Sequence, residues 1–289
     1  MIKLCCAKIN LGLNIVRRRP DGYHDLETIF LPVPLFDELR IEEQTENYPY
    51  PCQLTVTGDT IECEEQKNLI VKAYELIASE HALPRVHVFL DKHIPSQAGM
   101  GGGSSDAAFM IKLLNEQFSL GLTTAEMEKY AASLGADCAF FIKAQPAYAE
   151  GIGEKLYPIP GIAYQLKKFT LAIVKPDVAI STKEAFSHVN PHAPLHNCVE
   201  IAMQPVESWK KLLVNDFEDS VFGDHPELAE IKGTLYRMGA LYASMSGSGS
   251  ALYAFFPEGK ITNRQLRRIF PECFTATCKY EDLAPYIGS

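Results

Sequence analysis

Apolar and polar positions alternate along "AKINLGLNI". Ile9, Leu11, Leu13 and Ile15 fall on one face of a predicted strand, and Lys8, Asn10, Gly12 and Asn14 on the other. "PDG" at 20–22 is a turn signal, and "YHDLETIFLPV" reads as the strand returning from it. "DELRIEE" and "QLTVTG" read as further short strands, and Val86, Val88 and Leu90 alternate in another. Leu69, Ile70, Ala73, Leu76 and Ile77 have helical spacing behind Asn68, a good N-cap. A second helix is predicted from about Ser105 to Phe118. A third, "AEMEKYAASLG", opens on a capping box of Thr123 and Glu126 and closes at Gly135. "DCAFFI" reads as a buried strand starting at Asp137, and "AYAEGIGEKLYPI" as a hairpin around Gly151 and Gly153.

Two prolines and a glycine between about 158 and 168 mark a boundary, which divides the chain into 1–160 and 161–289. Beyond it "FTLAIVKP", "ALYAFF" and "FTATCKY" read as strands, and "ELAEIKGTLYRMG" and "NRQLRRIF" as helices. Strands and helices mix without strict alternation, so the expected class is α+β in two parts.

Composition narrows the function classes. A net charge of -9 over 289 residues argues against broad binding of nucleic acid or anionic membranes. Arg17 to Arg19 form the one basic run, which reads as a solvated loop. The eight cysteines include no C-x-x-C pair and no cluster of zinc spacing, and no apolar run reaches about 18 residues. "MIKLCCAKINLGLNIV" does not read as a signal peptide. The expectation is a cytoplasmic protein, with Cys138 a small core residue. Histidines other than His24 are scattered without ligand spacing.

The chemistry concentrates in "AGMGGGSSDAA", residues 98–108. A simple turn needs one or two glycines, not four. A dinucleotide fingerprint is a poor fit, because Ser104 stands where a third small residue belongs and no strand follows the helix. A phosphate cradle fits better. Gly99, Gly101, Gly102 and Gly103 let backbone N–H groups converge on an anion, and the helix behind adds its free N–H groups and dipole. Ser104 and Ser105 offer hydroxyls for phosphate oxygens or Mg²⁺. No lysine follows as in a Walker loop, so a cation must come from elsewhere in the chain.

"PSQAGMGGGSSDAA", from Pro95, resembles the second motif of the GHMP kinases. "AKINLGLNIVRRRPDGYHDLETIF", "SLGADCAFFI", "AYAEGIGEKL" and "SMSGSGSALYAFF" follow that family's order over about residues 5–257. Met100 replaces a commoner leucine, Ser96, Gln97 and Ala98 a glycine-richer lead-in, and Ser246 to Gly249 a threonine-containing form. None of these removes a group the chemistry needs.

The resemblance implies a ribosomal-protein-S5-domain-2-like N-terminal domain and a ferredoxin-like C-terminal domain. It further implies an enzyme that uses ATP and Mg²⁺, active as a monomer or weak homodimer. Its narrower likeness is to members that phosphorylate the 2-hydroxyl of a cytidylyl-linked methylerythritol in the non-mevalonate route to isoprenoids. Asp137 of "LGAD" is then the base, and Lys8 of "AK-x-N" the cation beside it. Asn10 orients the hydroxyl or the phosphoryl oxygens. Tyr23 and His24 lie over the cytosine, Phe186 on its other side, and Thr182 at the same site. Asn68 and Lys92 lie near the adenine, and the stretch Pro95 to Ser105 holds the phosphates; Asp106 is unassigned. The rivals are a homoserine or mevalonate type of GHMP kinase, and a non-catalytic nucleotide or sugar-phosphate sensor. The first is disfavoured by "DGYH" and Phe186, the second by the presence of both Asp137 and Lys8.

Overall fold

The computed structural model describes residues 1–44, 47–59 and 63–282. The chain runs β1 (Ile2–Arg18), β2 (His24–Glu43), β3 (Cys52–Gly58), α1 (Leu69–Ala78), β4 (Val86–Lys92), α2 (Gly102–Gln117), α3 (Thr124–Leu134), α4 (Cys138–Lys143), β5 (Ala147–Gly151) and β6 (Lys155–Pro158). It continues through α5 (Pro160–Leu166), β7 (Phe169–Lys175), α6 (Thr182–Phe186), α7 (Cys198–Ala202), α8 (Phe217–Asp224), α9 (Pro226–Arg237), β8 (Tyr242–Met245), β9 (Leu252–Pro257), α10 (Asn263–Ile269) and β10 (Phe274–Lys279).

Strands β1 to β6 form one sheet in the order β3-β4-β2-β5-β6, with β1 paired along β2. Strands β7 to β10 form a second in the order β10-β7-β9-β8, all antiparallel, which is the ferredoxin-like arrangement. The sheets face each other. Ile9 and Leu11 of β1 pack with Leu171 and Ile173 of β7 and with Tyr253 and Phe255 of β9 in a shared middle layer. Alternate residues of β7, Ala172 and Val174, point instead to α8, α9 and α10, as the period of two requires. Helices α1 to α4 cover the outer face of the first sheet.

The expected caps are present: Asn68 accepts from the Ile70 N–H, and Thr123 and Glu126 satisfy each other reciprocally. Three expectations need correction. "DCAFFI" is helical, not a strand. Its apolar run is buried from Cys138 to Ile142, and in so short a run periodicity cannot separate buried strand from buried helix. Helix α2 begins at Gly102 rather than Ser105, so the glycine run itself makes its first turn. "DELRIEE" is not a separate strand but the end of β2. Pro34 interrupts the ladder without ending the strand, because a bulge falls between Cys6 and Ala7, where the partner shifts from Phe36 to Val33. The expected boundary segment holds α5, with Pro160 in its first turn and Ile162 and Leu166 buried.

Candidate active site

One edge of β1 pairs with β2, and the other lies in the cleft between the sheets, where three segments dock on it. The Lys8 N–H donates to the Met100 carbonyl at 2.9 Å, the Asn10 N–H to Ser246 Oγ at 3.3 Å, and the Leu13 N–H to the Val214 carbonyl at 2.8 Å. β1 is therefore buried on both faces from Cys5 to Ile15. The polar face read from the alternation looks into the cleft rather than into solvent.

Lys8 and Asn10 are each 3% exposed. The Lys8 ammonium donates to Asn10 Oδ1 at 2.6 Å, lies 3.3 Å from Asp137 Oδ2, and stands 5.0 Å from the centre of the Phe30 ring. Asp137 sits at the N-cap of α4, one-third exposed, but caps nothing with its side chain. A carboxylate that leaves the N-cap bond unmade and faces a cation is free for other work. Gly101, at φ +70°, lets the lysine stem pass: a Cβ there would meet Phe141 at 2.8 Å and Lys8 Cγ at 3.2 Å. Asn10 is held in turn by Thr28, which accepts from its amide at 3.1 Å, and by the Tyr253 hydroxyl, which donates to its carbonyl at 2.8 Å.

Two cavities meet at the glycine loop, sharing Gln97, Gly99 and Gly101 as a common wall. The smaller, about 500 Å³, is lined by Pro95, Ser96, Ala98, Met100, Gly102, Gly103 and Ser104 of the loop, by Asn68 and Lys92, and by an apolar slot of Leu54, Val56, Leu69 and Leu90. Three N–H groups at the start of α2, on Gly102, Gly103 and Ser104, precede the first intrahelical bond, from Ser105 to Gly101. Ser105 departs from expectation. Its hydroxyl is fully buried and donates to the Cys6 carbonyl at 2.7 Å, so only Ser104 lines the cavity. Ser104 also bonds the Cys138 thiol, which burial pushes up to about 11.

The larger cavity, about 730 Å³, holds Lys8, Asn10 and Asp137 at one end and Tyr23, His24, Thr182 and Phe186 at the other. Burial, and then the nearby Arg18, hold the His24 imidazole below its ordinary pKa. Its ring stacks directly on Phe186 at 4.6 Å and 13°. The two rings expected on opposite sides of the base thus touch each other in this structure. Phe186 leans edge-on against Phe217, and Tyr23 stands open at the mouth, 61% exposed.

The second glycine-serine loop, legible as a motif, closes the site, and Asn215 beside it escapes sequence reasoning. Ser246 Oγ donates to the Gly99 carbonyl at 2.8 Å, and the Asn215 amide donates to the Met245 and Gly247 carbonyls at 2.8 and 2.9 Å. The N–H groups of Ser250 and Ala251 donate to the Gln97 and Ala98 carbonyls. The two glycine-serine loops are thus stitched together across the cleft. The second loop was visible as a motif, but nothing in "LLVNDFE" marks Asn215.

Among the described residues no three His, Cys, Asp or Glu side chains could hold a metal ion, and no helix is long and apolar enough to cross a membrane. A Mg²⁺ carried on phosphates fits what is present: the Ser104 hydroxyl at the cavity wall is a suitable hard donor for a cation that keeps most of its other ligands as water and phosphate.

Comparison with known proteins bears on this geometry. The family description "GHMP kinases N terminal domain" matches residues 68–145, and "GHMP kinases C terminal" matches 200–272. The chain is 51% identical over 280 residues to a 4-diphosphocytidyl-2-C-methyl-D-erythritol kinase of Bacteroides fragilis, covering 96% of this chain and 100% of that one. It is 53% identical over 262 residues to the Bacteroides thetaiotaomicron kinase of the same name, covering 90% and 94%. A crystal structure of 4-(cytidine 5'-diphospho)-2C-methyl-D-erythritol kinase superposes with a TM-score of 0.80 at 29% identity, covering 96% and 99%. A mevalonate kinase structure shares the fold at a TM-score of 0.70 and 14% identity, covering 96% and 98%.

Proposed function

The chain belongs to the GHMP kinases and, within them, to the 4-diphosphocytidyl-2-C-methyl-D-erythritol kinases, and from that premise we propose that it phosphorylates the 2-hydroxyl of that cytidylyl substrate with ATP. The products are the 2-phosphate and ADP, in the non-mevalonate supply of isoprenoid precursors. One observation carries the site assignment: the Lys8–Asp137 pair stands in the acceptor cavity, across the glycine wall from the nucleotide cavity.

In this reading the adenine enters the apolar slot beside Asn68 and Lys92. The glycine wall and the start of α2 cradle the phosphates with N–H groups aimed at their oxygens. Ser104 would be the protein donor to a Mg²⁺ carried on the phosphates, which would offset charge on the transferring group. Asp137 accepts the proton of the 2-hydroxyl as the new O–P bond forms and the bond to the β-phosphate oxygen breaks, so ADP leaves with its added charge. Lys8, fixed by Asn10, holds the developing negative charge on the reacting oxygens. The cytosine lies between Tyr23 and His24 on one side and Phe186 on the other, the two touching rings parting to admit it, with Thr182 at the same site. The enzyme works in the cytoplasm as a monomer or weak homodimer.

The test of the base site is competition. Cytidine 5'-diphosphate should raise the KM for the cytidylyl substrate and leave the KM for ATP unchanged. Competition against ATP alone would move the cytidine to the wrong cavity and remove the roles given to His24 and Phe186.

A further inference from the structure

Behind the glycine loop lies a buried ion cluster. Asp37, on β2, is 0% exposed. Its Oδ1 accepts the N–H groups of His93 at 2.6 Å and Ile94 at 2.8 Å, the two residues that lead into the loop. Its Oδ2 accepts from the Lys92 ammonium. The same ammonium donates at 2.8 Å to Asp106 Oδ2, on α2, just beyond the loop. Asp106 is 3% exposed, and its second oxygen is buried without a partner. A Cβ on Gly102 would lie 3.1 Å from the Lys92 nitrogen, so the cation sits directly beneath the first turn of α2.

Both stems of the loop are therefore tied to one point. Burial works against the charge on Lys92, and Asp106 and Asp37 overcome it, holding the ammonium above its ordinary range. Burial also raises the Asp106 carboxyl, to about 7, with Lys92 opposing and Asp37 adding to the rise. Buried ion clusters add little to stability compared with apolar packing of the same volume, so a positional role explains this one better than a stabilising role.

We propose that Asp37, Lys92 and Asp106 form a clamp that holds the stems of the glycine loop in register, making Asp37 and Asp106 positioning residues for the nucleotide. The clamp rests on the kinase reading, because it positions groups for ATP. Asp37 lines neither cavity and acts through the loop, whereas Asp106 also borders the smaller cavity. Asp37 fixes where the loop leaves β4, Asp106 fixes where it enters α2, and Lys92 sets the distance between them. Preorganised donors bind an anion more tightly than donors that must be ordered on binding.

Asp37→Asn keeps the shape and the acceptor for the two N–H groups, but breaks the ion pair to Lys92. Binding of Mg-ADP, titrated directly, should weaken by about tenfold or more, the scale of one lost charged hydrogen bond. The KM for ATP should rise by the same factor while the KM for the acceptor holds. Amide exchange should quicken at residues 96–103 and stay unchanged in α3. If Asp37→Asn does not fold, Asp106→Asn, which keeps the shape and removes the charge paired with Lys92, is read the same way. Unchanged nucleotide affinity overturns the clamp. So does weakened affinity with exchange quickened throughout the domain, which is what a merely structural role produces. A wild-type protein that binds no nucleotide overturns the kinase reading, and the clamp with it.

Discussion

Asp137→Asn is expected to lower turnover by about 10²-fold or more, the scale of general-base assistance, while the protein folds and binds ATP as before. Asparagine keeps the size and the N-cap position but cannot take the hydroxyl proton. The position is one-third exposed, and the side chain makes no cap bond, so no backbone donor is orphaned by the change. Lys8 keeps its bond to Asn10 Oδ1, which stops the buried ammonium from being left without a partner. The loss should therefore appear in kcat with the KM for ATP held. Steady-state kinetics with the cytidylyl substrate, and a nucleotide titration on the same samples, check both halves. Turnover near the wild-type level would remove Asp137 from the role of base.

Gly99→Ala is expected to be the next most damaging single change. Gly99 stands at φ +69°, where a side chain is strained, and its Cβ would fall 1.9 Å from the Ser246 carbonyl oxygen. That oxygen is backbone, locked by the bonds that stitch the two loops together, and it cannot rotate away. The loops must part, and both cavities lose their common wall. Destabilisation should exceed about 1 kcal/mol, more than a Gly→Ala change gains where the backbone tolerates it. Turnover should fall by at least about tenfold as the phosphate and the hydroxyl lose alignment. Gly103→Ala provides the contrast: a Cβ there meets nothing within 4 Å, and its φ is ordinary, so stability should hold. Urea unfolding midpoints and kcat/KM for the two variants check this. Equal stability in both would mean that the loops are not locked.

Much of this arrangement was legible in the chain, because its signals are local. The glycine run, the Asn68 and Thr123 caps, the β5–β6 hairpin and the alternation that places Lys8 beside Asn10 each depend on residues a few positions apart. What the chain hid depends on distance. Ser246 reaches Gly99 across 147 positions, and Asp37 reaches the stem of the loop across 56, with no periodicity to announce either. Burial also overrides local pattern. "DCAFFI" is apolar enough for a core strand and becomes a helix because it packs under α2 and α3, and Ser105 turns its hydroxyl inward to a β1 carbonyl although its neighbour faces the cavity. His24 and Phe186, 162 positions apart, were both expected at a base site, but not in contact with each other.

The most direct test of the account is ADP release by the purified protein with Mg-ATP and, in parallel, 4-diphosphocytidyl-2-C-methyl-D-erythritol, homoserine and mevalonate. The account predicts turnover on the cytidylyl substrate alone. Turnover on homoserine or mevalonate instead would contradict the acceptor assignment, and no turnover on any of the three, with ATP still bound, would contradict catalysis at the Lys8–Asp137 pair.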